Sequence, residues 1–437
     1  ERMPRNSNLR EIHLQGNALV TDLFAARLVE LVGPNGQRDG GSCLSSLGPC
    51  GVMRVDLDNT DVDDAKSSWI ARQIDLRRLK LGQLHTLDWS TGDATDADVT
   101  ALTAVLSSVN TGCVLTDLNL STNQGIQDRA TLEQLVVSHS SLHNVNVDGT
   151  GLDDGAAQAV RAAARRNRLQ PEVDAVANNS LGARLDWSSK NISDDDVDRL
   201  IEALKSNSTV SDILLQGNAE VTDASIDRLA AVVGPNSDRQ GGGCFASAGA
   251  CGVVRVSLDN TAVTDAMKHG LARRIELRQV SLYDDQARNL DWSTGDTTDV
   301  DVALLVSVLR DSRCEVRNVD LHDNQGIADG APLLDLARGD KVKTLNLKGT
   351  GVDGEIQQQI QDSIRSHRLR PFIDRLSSND RTLTTLAWGT QDISDEDIAH
   401  LVRALPRNTR LKDIQLAGNA RLSDTHMDTL TGAVGPA

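Results

Sequence analysis

A nine-residue phrase recurs in this 437-residue chain at a fixed interval. It reads LQGNALVTD at 14–22, LQGNAEVTD at 215–223 and LAGNARLSD at 416–424, each copy 201 residues after the last. Other landmarks keep that phase. Cys43, Cys50 and Cys113 return as Cys244, Cys251 and Cys314, and Trp187 returns as Trp388. Trp89 returns two residues late as Trp292, so one loop carries an insertion or deletion. A long fixed period marks tandem duplication and points to a repeat architecture.

A shorter repeat lies inside each unit. LREIHLQGN (9–17), LTDLNLSTN (115–123), VKTLNLKGT (342–350) and LKDIQLAGN (411–419) share the pattern L-x-x-L-x-L-x-x-N. Thirteen such segments fit, six per 201-residue unit and one beginning a third. Side chains alternate along a strand, so Ile12 and Leu14 face a core while His13 faces out. An Asn at 17, 123, 218, 324 and 419 ends the strand, where its side chain can bond backbone groups of neighbouring turns. Thr60, Thr150, Thr261 and Thr350 take that slot in other repeats. Helix starts follow at Thr21-Asp22, Thr95-Asp96, Ser193-Asp194, Thr222-Asp223 and Ser394-Asp395, pairing an N-cap with early negative charge. Apolar residues then recur at helical spacing, as in Val99, Leu102, Val105 and Leu106, or Val197, Leu200, Ile201 and Leu204. Each repeat therefore reads as strand, turn and helix. Stacking predicts an α/β solenoid with a parallel inner sheet and outer helices. Its expected units are 1–201, 202–402 and the start of a third at 403–437, in one continuous solenoid.

These segments resemble the ribonuclease-inhibitor-like class of leucine-rich repeat proteins along essentially the whole chain. The resemblance implies a curved solenoid that binds macromolecules on its concave sheet, with no catalysis and no cofactor. Spacings between equivalent strand positions run from 26 to 43 residues, longer and less uniform than that class, so irregular curvature is expected.

Composition agrees with a thin core. Hydrophobic residues make up 39% of the chain but aromatics only 2%, which leaves Leu, Val, Ile and Ala to fill the interior. The net charge of −17 argues against nucleic-acid binding through the general field; it fits a solvated acidic surface and admits a basic protein partner. No apolar run approaches the roughly 20 residues of a membrane span.

The side chains that carry chemistry are few. Cys43 and Cys50, and likewise Cys244 and Cys251, sit in a Gly-rich insert at a spacing that permits a local disulfide. Disulfides imply an extracellular or cell-surface setting, and reduced thiols a cytoplasmic one. Cys113 and Cys314 have no assigned partner. Trp89, Trp187, Trp292 and Trp388 fall on an inward strand position and read as core; Trp69 reads as helix packing. The acids of DLDNTDVDDA (56–65) follow from the repeat pattern, so calcium is not expected. No metal site, nucleophile triad or phosphate loop emerges, and the chain is not read as an enzyme. Sequons at Asn119, Asn178, Asn191 and Asn207 occur at about chance frequency.

The outward strand positions are the candidate binding face: His13, Asp56, Asp88, Asn119, Asn146, Asp186, Asp291, Asp320, Asn346 and Gln415, with Leu214 and Ser257 in the same register. No aromatic anchor stands among them. The expected role is a non-catalytic structural repeat protein, a segment of an extracellular or filament-forming assembly in which copies or neighbouring repeats associate. The alternative is a cytoplasmic scaffold binding proteins on the acidic concave sheet.

Overall fold

A computed structural model describes residues 9–32, 52, 54–80, 82–90, 92–108, 115–233, 252–282, 289–293, 295–310 and 316–434. Among them thirteen three-residue strands alternate with thirteen α-helices. The strands are β1 (Glu11–His13), β2 (Arg54–Asp56), β3 (Thr86–Asp88), β4 (Asp117–Asn119), β5 (Asn144–Asn146), β6 (Arg184–Asp186), β7 (Asp212–Leu214), β8 (Arg255–Ser257), β9 (Asn289–Asp291), β10 (Asn318–Asp320), β11 (Thr344–Asn346), β12 (Thr385–Ala387) and β13 (Asp413–Gln415). The helices are α1 (Asp22–Val32), α2 (Asp64–Lys80), α3 (Asp96–Ser108), α4 (Arg129–Ser138), α5 (Asp154–Ala177), α6 (Asp194–Leu204), α7 (Asp223–Val233), α8 (Asp265–Leu282), α9 (Asp299–Leu309), α10 (Ala331–Ala337), α11 (Gly354–Ser377), α12 (Asp395–Ala404) and α13 (Asp424–Val434). Two compact units result, Glu1–Ala175 and Val176–Ala437.

The strands pair in parallel, but in short ladders: β1-β2 and β3-β4-β5 in the first unit, then β6-β7-β8, β9-β10-β11 and β12-β13 in the second. Repeated strand–turn–helix units with parallel pairing define a leucine-rich-repeat-like fold. Within each unit the ladder is interrupted after a repeat with a long helix: α2 (17 residues), α8 (18) or α11 (24).

A three-repeat rule underlies the ladders. The first strand of each three-strand ladder leads into Trp89, Trp187 or Trp292, and β12 into Trp388. The second repeat carries Asn123, Asn218, Asn324 or Asn419, and the third Thr150, Thr261 or Thr350. The pair β1-β2, with Asn17 and Thr60, fits the second and third places.

Each Asn joins its repeat to the Trp repeat before it. Nδ2 of Asn123 donates to the Trp89 carbonyl at 2.7 Å and to Leu120 at 2.8 Å, while Oδ1 accepts the Ala94 N–H at 2.7 Å. Asn218 repeats this with Trp187, Leu215 and Ile192 at 2.9, 2.7 and 3.1 Å. Asn324 does so with Trp292, Leu321 and Thr297 at 2.7, 2.8 and 2.8 Å. Asn419 does so with Trp388, Leu416 and Ile393 at 2.8, 2.7 and 3.0 Å. The hydroxyls of Thr150, Thr261 and Thr350 donate locally, to the carbonyl three residues back at 2.7–2.8 Å. A hydroxyl is too short to span two turns as well.

A second staple works at the helix starts. The first-turn Asp96 accepts the N–H groups of Gln127 and Asp128 in the next repeat at 2.8 and 2.9 Å. Asp194, Asp223, Asp299 and Asp395 reach forward in the same way. The Ser/Thr-Asp pairs thus do more than begin helices.

The core is aliphatic with Trp inserted. Leu87, Trp89, Leu118, Leu120, Val145 and Val147 pack on Val99, Leu102, Leu132, Leu135 and Val160. Trp187 is fully buried, and Trp89, Trp292 and Trp388 are 2% exposed. Ser193 and Asp196 form a capping box on α6, whose Val197, Leu200, Ile201 and Leu204 are buried. Each buried aliphatic chain of this kind contributes about 1.5–3 kcal/mol.

Candidate functional site

Each strand ends in a turn, so its first and third residues share the face turned away from the core. The register aligns these residues across strands. Asp88 lies beside Asn119 and Asn119 beside Asn146; Asp291 lies beside Asp320 and Asp320 beside Asn346. His13 lies beside Asp56 and Asp186 beside Leu214, Leu214 beside Ser257.

The eight Asp and Asn residues of the candidate face have a shared structural task. Oδ1 of Asp56, Asp88, Asn119, Asn146, Asp186, Asp291, Asp320 and Asn346 accepts the backbone N–H two residues on, at 3.0–3.2 Å. These Asx turns end the strands. One oxygen of each side chain is therefore committed, and the other polar atoms are what the face presents. Leu214 sits in the outward register but is buried, 5% exposed. Ala387 holds the corresponding place in β12.

The face has a second row that the single-residue pattern missed. The first strand residues, such as Arg54, Asp117, Asn144, Asp212, Arg255 and Asn318, lie on the same side as the third ones. The two-residue alternation was the signal that would have found them. Arg255 pairs with Asp212 at 2.8 Å, Asn144 donates to Asp117 at 2.7 Å, and Asn119 donates to Asp88 at 3.0 Å. His13 Nε2 lies 3.0 Å from Glu11 and Nδ1 lies 3.8 Å from Asp56.

Local hydrogen bonds lower three acids of the face, Asp186, Asp291 and Asp320. The Ser188 hydroxyl and N–H hold Asp186 below the usual carboxylate range, and Ser293 does the same for Asp291. Burial is the largest single influence on Asp320 and pushes it up, but the hydrogen bonds from the His322 ring, the His322 N–H and Asn346 together outweigh it and the net shift is downward. Asp320 in turn raises His322. The face is thus an array of fixed carboxylates, amides and arginines that suits polar recognition. Among the described residues no group of three or more His, Cys, Asp or Glu could hold a metal ion. Cys43, Cys50, Cys113, Cys244, Cys251 and Cys314 all lie outside the described residues.

The sequence reading also missed the buried arginines on the helix side, three of which form ion pairs between repeats. Arg72, Arg273 and Arg365 are 5–6% exposed on α2, α8 and α11. Each crosses a ladder interruption to the acids of the next helix start. Arg72 meets Asp93 at 2.6 Å and Asp98 at 3.2 Å; Arg273 meets Asp296 at 2.8 Å and Asp301 at 3.3 Å. Arg365 meets Asp397 at 2.6 Å and Asp392 at 3.4 Å. Backbone pairing stops at these points and a buried ion pair takes over.

No protein-family model matches the chain, and no curated protein matches it. Among solved structures, actin-binding site 2 of leiomodin-1 is similar at 12% identity, covering 48% of this chain and 95% of that one, with a TM-score of 0.19. An internalin from Listeria monocytogenes is similar at 12% identity, covering 87% of this chain and 78% of that one, with a TM-score of 0.18. Likenesses this distant carry no argument about function. No helix among the described residues is long and apolar enough to cross a membrane.

Proposed function

We propose that this chain is a non-catalytic repeat scaffold that binds protein through the outward face of its strand ladders. The observation that carries the reading is the two-row array of fixed polar side chains, in register across three strands at a time. Such a surface offers directional hydrogen bonds and charge without a deep pocket, which suits an extended protein surface. The acidic balance of the chain favours a basic partner. The helix that follows every strand supports the ribonuclease-inhibitor-like reading and, with it, a continuous solenoid. A photocrosslinker placed at Asp186 or Asp291 tests the proposal, with one at the exposed, helix-borne Val300 as control. Crosslinks to one partner from the strand positions alone are expected. Equal capture from Val300 overturns the reading.

A second reading, a structural segment whose copies associate into a filament, is favoured by one observation, the tandem copy at a fixed interval of 201 residues. Sedimentation velocity tests this: concentration-dependent association supports it, and a monomer at all concentrations refutes it. The extracellular setting belongs to this reading, with Cys43–Cys50 and Cys244–Cys251 as disulfides. Titration without reductant then finds two reactive thiols of the six, and six would refute it.

A further inference from the structure

The ladder interruption between β11 and β12 forms an open cavity of about 580 Å³, lined by Lys343, Lys348, Arg368, Gln361 and Asp392 among others. That size falls within the range of small-molecule sites. Strand β11 is the edge of its ladder. Its Asn346 carbonyl and Thr344 N–H serve β10, so the Leu345 peptide faces the gap. Gln361 Nε2 donates to the Leu345 carbonyl at 2.7 Å, in the place that a neighbouring strand would take.

The internal duplication supplies a control for the charges. Two residues past strands β2, β5 and β8 the chain has Asp58, Asp148 and Asp259, but past β11 it has Lys348. In the first copy Arg161 forms an ion pair with Asp148. In the second copy the counterparts are Gln361 and Lys348, so a matched pair has become an uncompensated cation. Lys348 and Lys343 are exposed, and neither has an ion-pair partner among the described residues. Arg368 donates to the Gln391 carbonyl at 2.8 Å and brings a third positive charge. The one acid in the lining that could balance them, Asp392, already meets Arg365 and Arg421, each at 3.4 Å.

We propose that this cavity binds a compact anion of two or three charges, the chemistry shared by phosphoryl groups and polycarboxylates. A guanidinium fork and two exposed ammonium groups suit oxyanions. A long acidic polymer is disfavoured by the net charge of −17, while a small anion meets only the local field. The site goes beyond the scaffold reading and does not depend on it.

The test is isothermal titration of the whole chain at low ionic strength with pyrophosphate, and separately with citrate. Saturable binding of one equivalent is expected, and the tighter of the two probes identifies the source of the anion. The variant K348D/Q361R restores the pair that the first copy already accommodates, and circular dichroism checks its fold. It is expected to bind at least about tenfold more weakly. K343E should weaken binding in the same direction. No saturable binding of either probe up to about 10 mM, or unchanged affinity in K348D/Q361R, overturns the proposal.

Discussion

The side-chain amide of Asn123 donates to the Trp89 carbonyl at 2.7 Å, one repeat back, while its own oxygen accepts the Ala94 N–H. One buried amide thus closes two turns at once. Asn218, Asn324 and Asn419 do the same, so Trp and Asn form a unit across neighbouring repeats.

Asn218→Ala leaves two carbonyls and one N–H without their partner in a fully buried place. The expected loss is about 3 kcal/mol, the upper end for an unsatisfied buried group. Native-state hydrogen exchange at the Ile192 amide measures it locally, as suits a repeat array. Asn17→Ala, at an exposed position, should change stability by no more than about 0.5 kcal/mol.

Arg365→Met removes the cation that serves Asp397, Asp392 and Asp362. The buried Asp397 is then uncompensated, at a cost of about 3–5 kcal/mol. Arg365→Met combined with Asp397→Leu should recover most of that loss. Urea midpoints of the three proteins check it, and a double variant as weak as the single one would contradict the electrostatic account.

Burial raises Glu276 above the ordinary glutamate value of 4.5, and the Trp292 indole N–H, 2.9 Å away, only partly opposes this. A carboxyl raised on folding destabilises the native state fully above its folded pKa and not at all below the unfolded one. Glu276→Gln keeps an acceptor for Trp292 and removes the charge. It should raise the thermal midpoint at pH 8, with the gain shrinking as pH falls towards 4.5.

Asp380 has the opposite sign. The Thr382 N–H, Arg375 and the Thr382 hydroxyl lower its pKa from 3.8 to about 2. The stability it contributes is complete above pH 3.8 and is lost as pH falls towards about 2. Melts of Asp380→Ala and the parent should converge at pH 2 and separate above pH 4, with the parent the more stable.

Much of the repeat was legible because one residue pattern reports one local task. Val197, Leu200, Ile201 and Leu204 lie at helical spacing and are buried on α6. The inward phase of the four Trp residues follows from strand alternation. The grouping by threes was also in the sequence, since Trp89, Trp187, Trp292 and Trp388 lie 98, 105 and 96 residues apart, but the exact 201-residue copy masks it. The ladder interruptions were not legible. They accompany long helices, one of which, α11, runs through Pro371, where a local rule would end it. Nor were the arginine partners, because Arg72 and Asp98 meet only once two repeats are stacked. The outward Asp and Asn residues were legible as a face, but their Asx turns depend on backbone geometry that composition does not reveal.

The central claim is that three repeats, led by Trp, form the structural unit. Deleting residues 292–387 tests it most directly, because Trp388 then follows Asp291 in the frame of Trp292 and Arg273 faces Asp392 and Asp397. This chain, 96 residues shorter, should keep the parent's helicity per residue and unfold as cooperatively. Deleting 321–387 joins Asp320 to Trp388 and leaves Trp292 without an Asn in the next repeat; it should unfold earlier and over a broader range. Equal stability of the two deletions, or collapse of the in-frame one, would contradict the account.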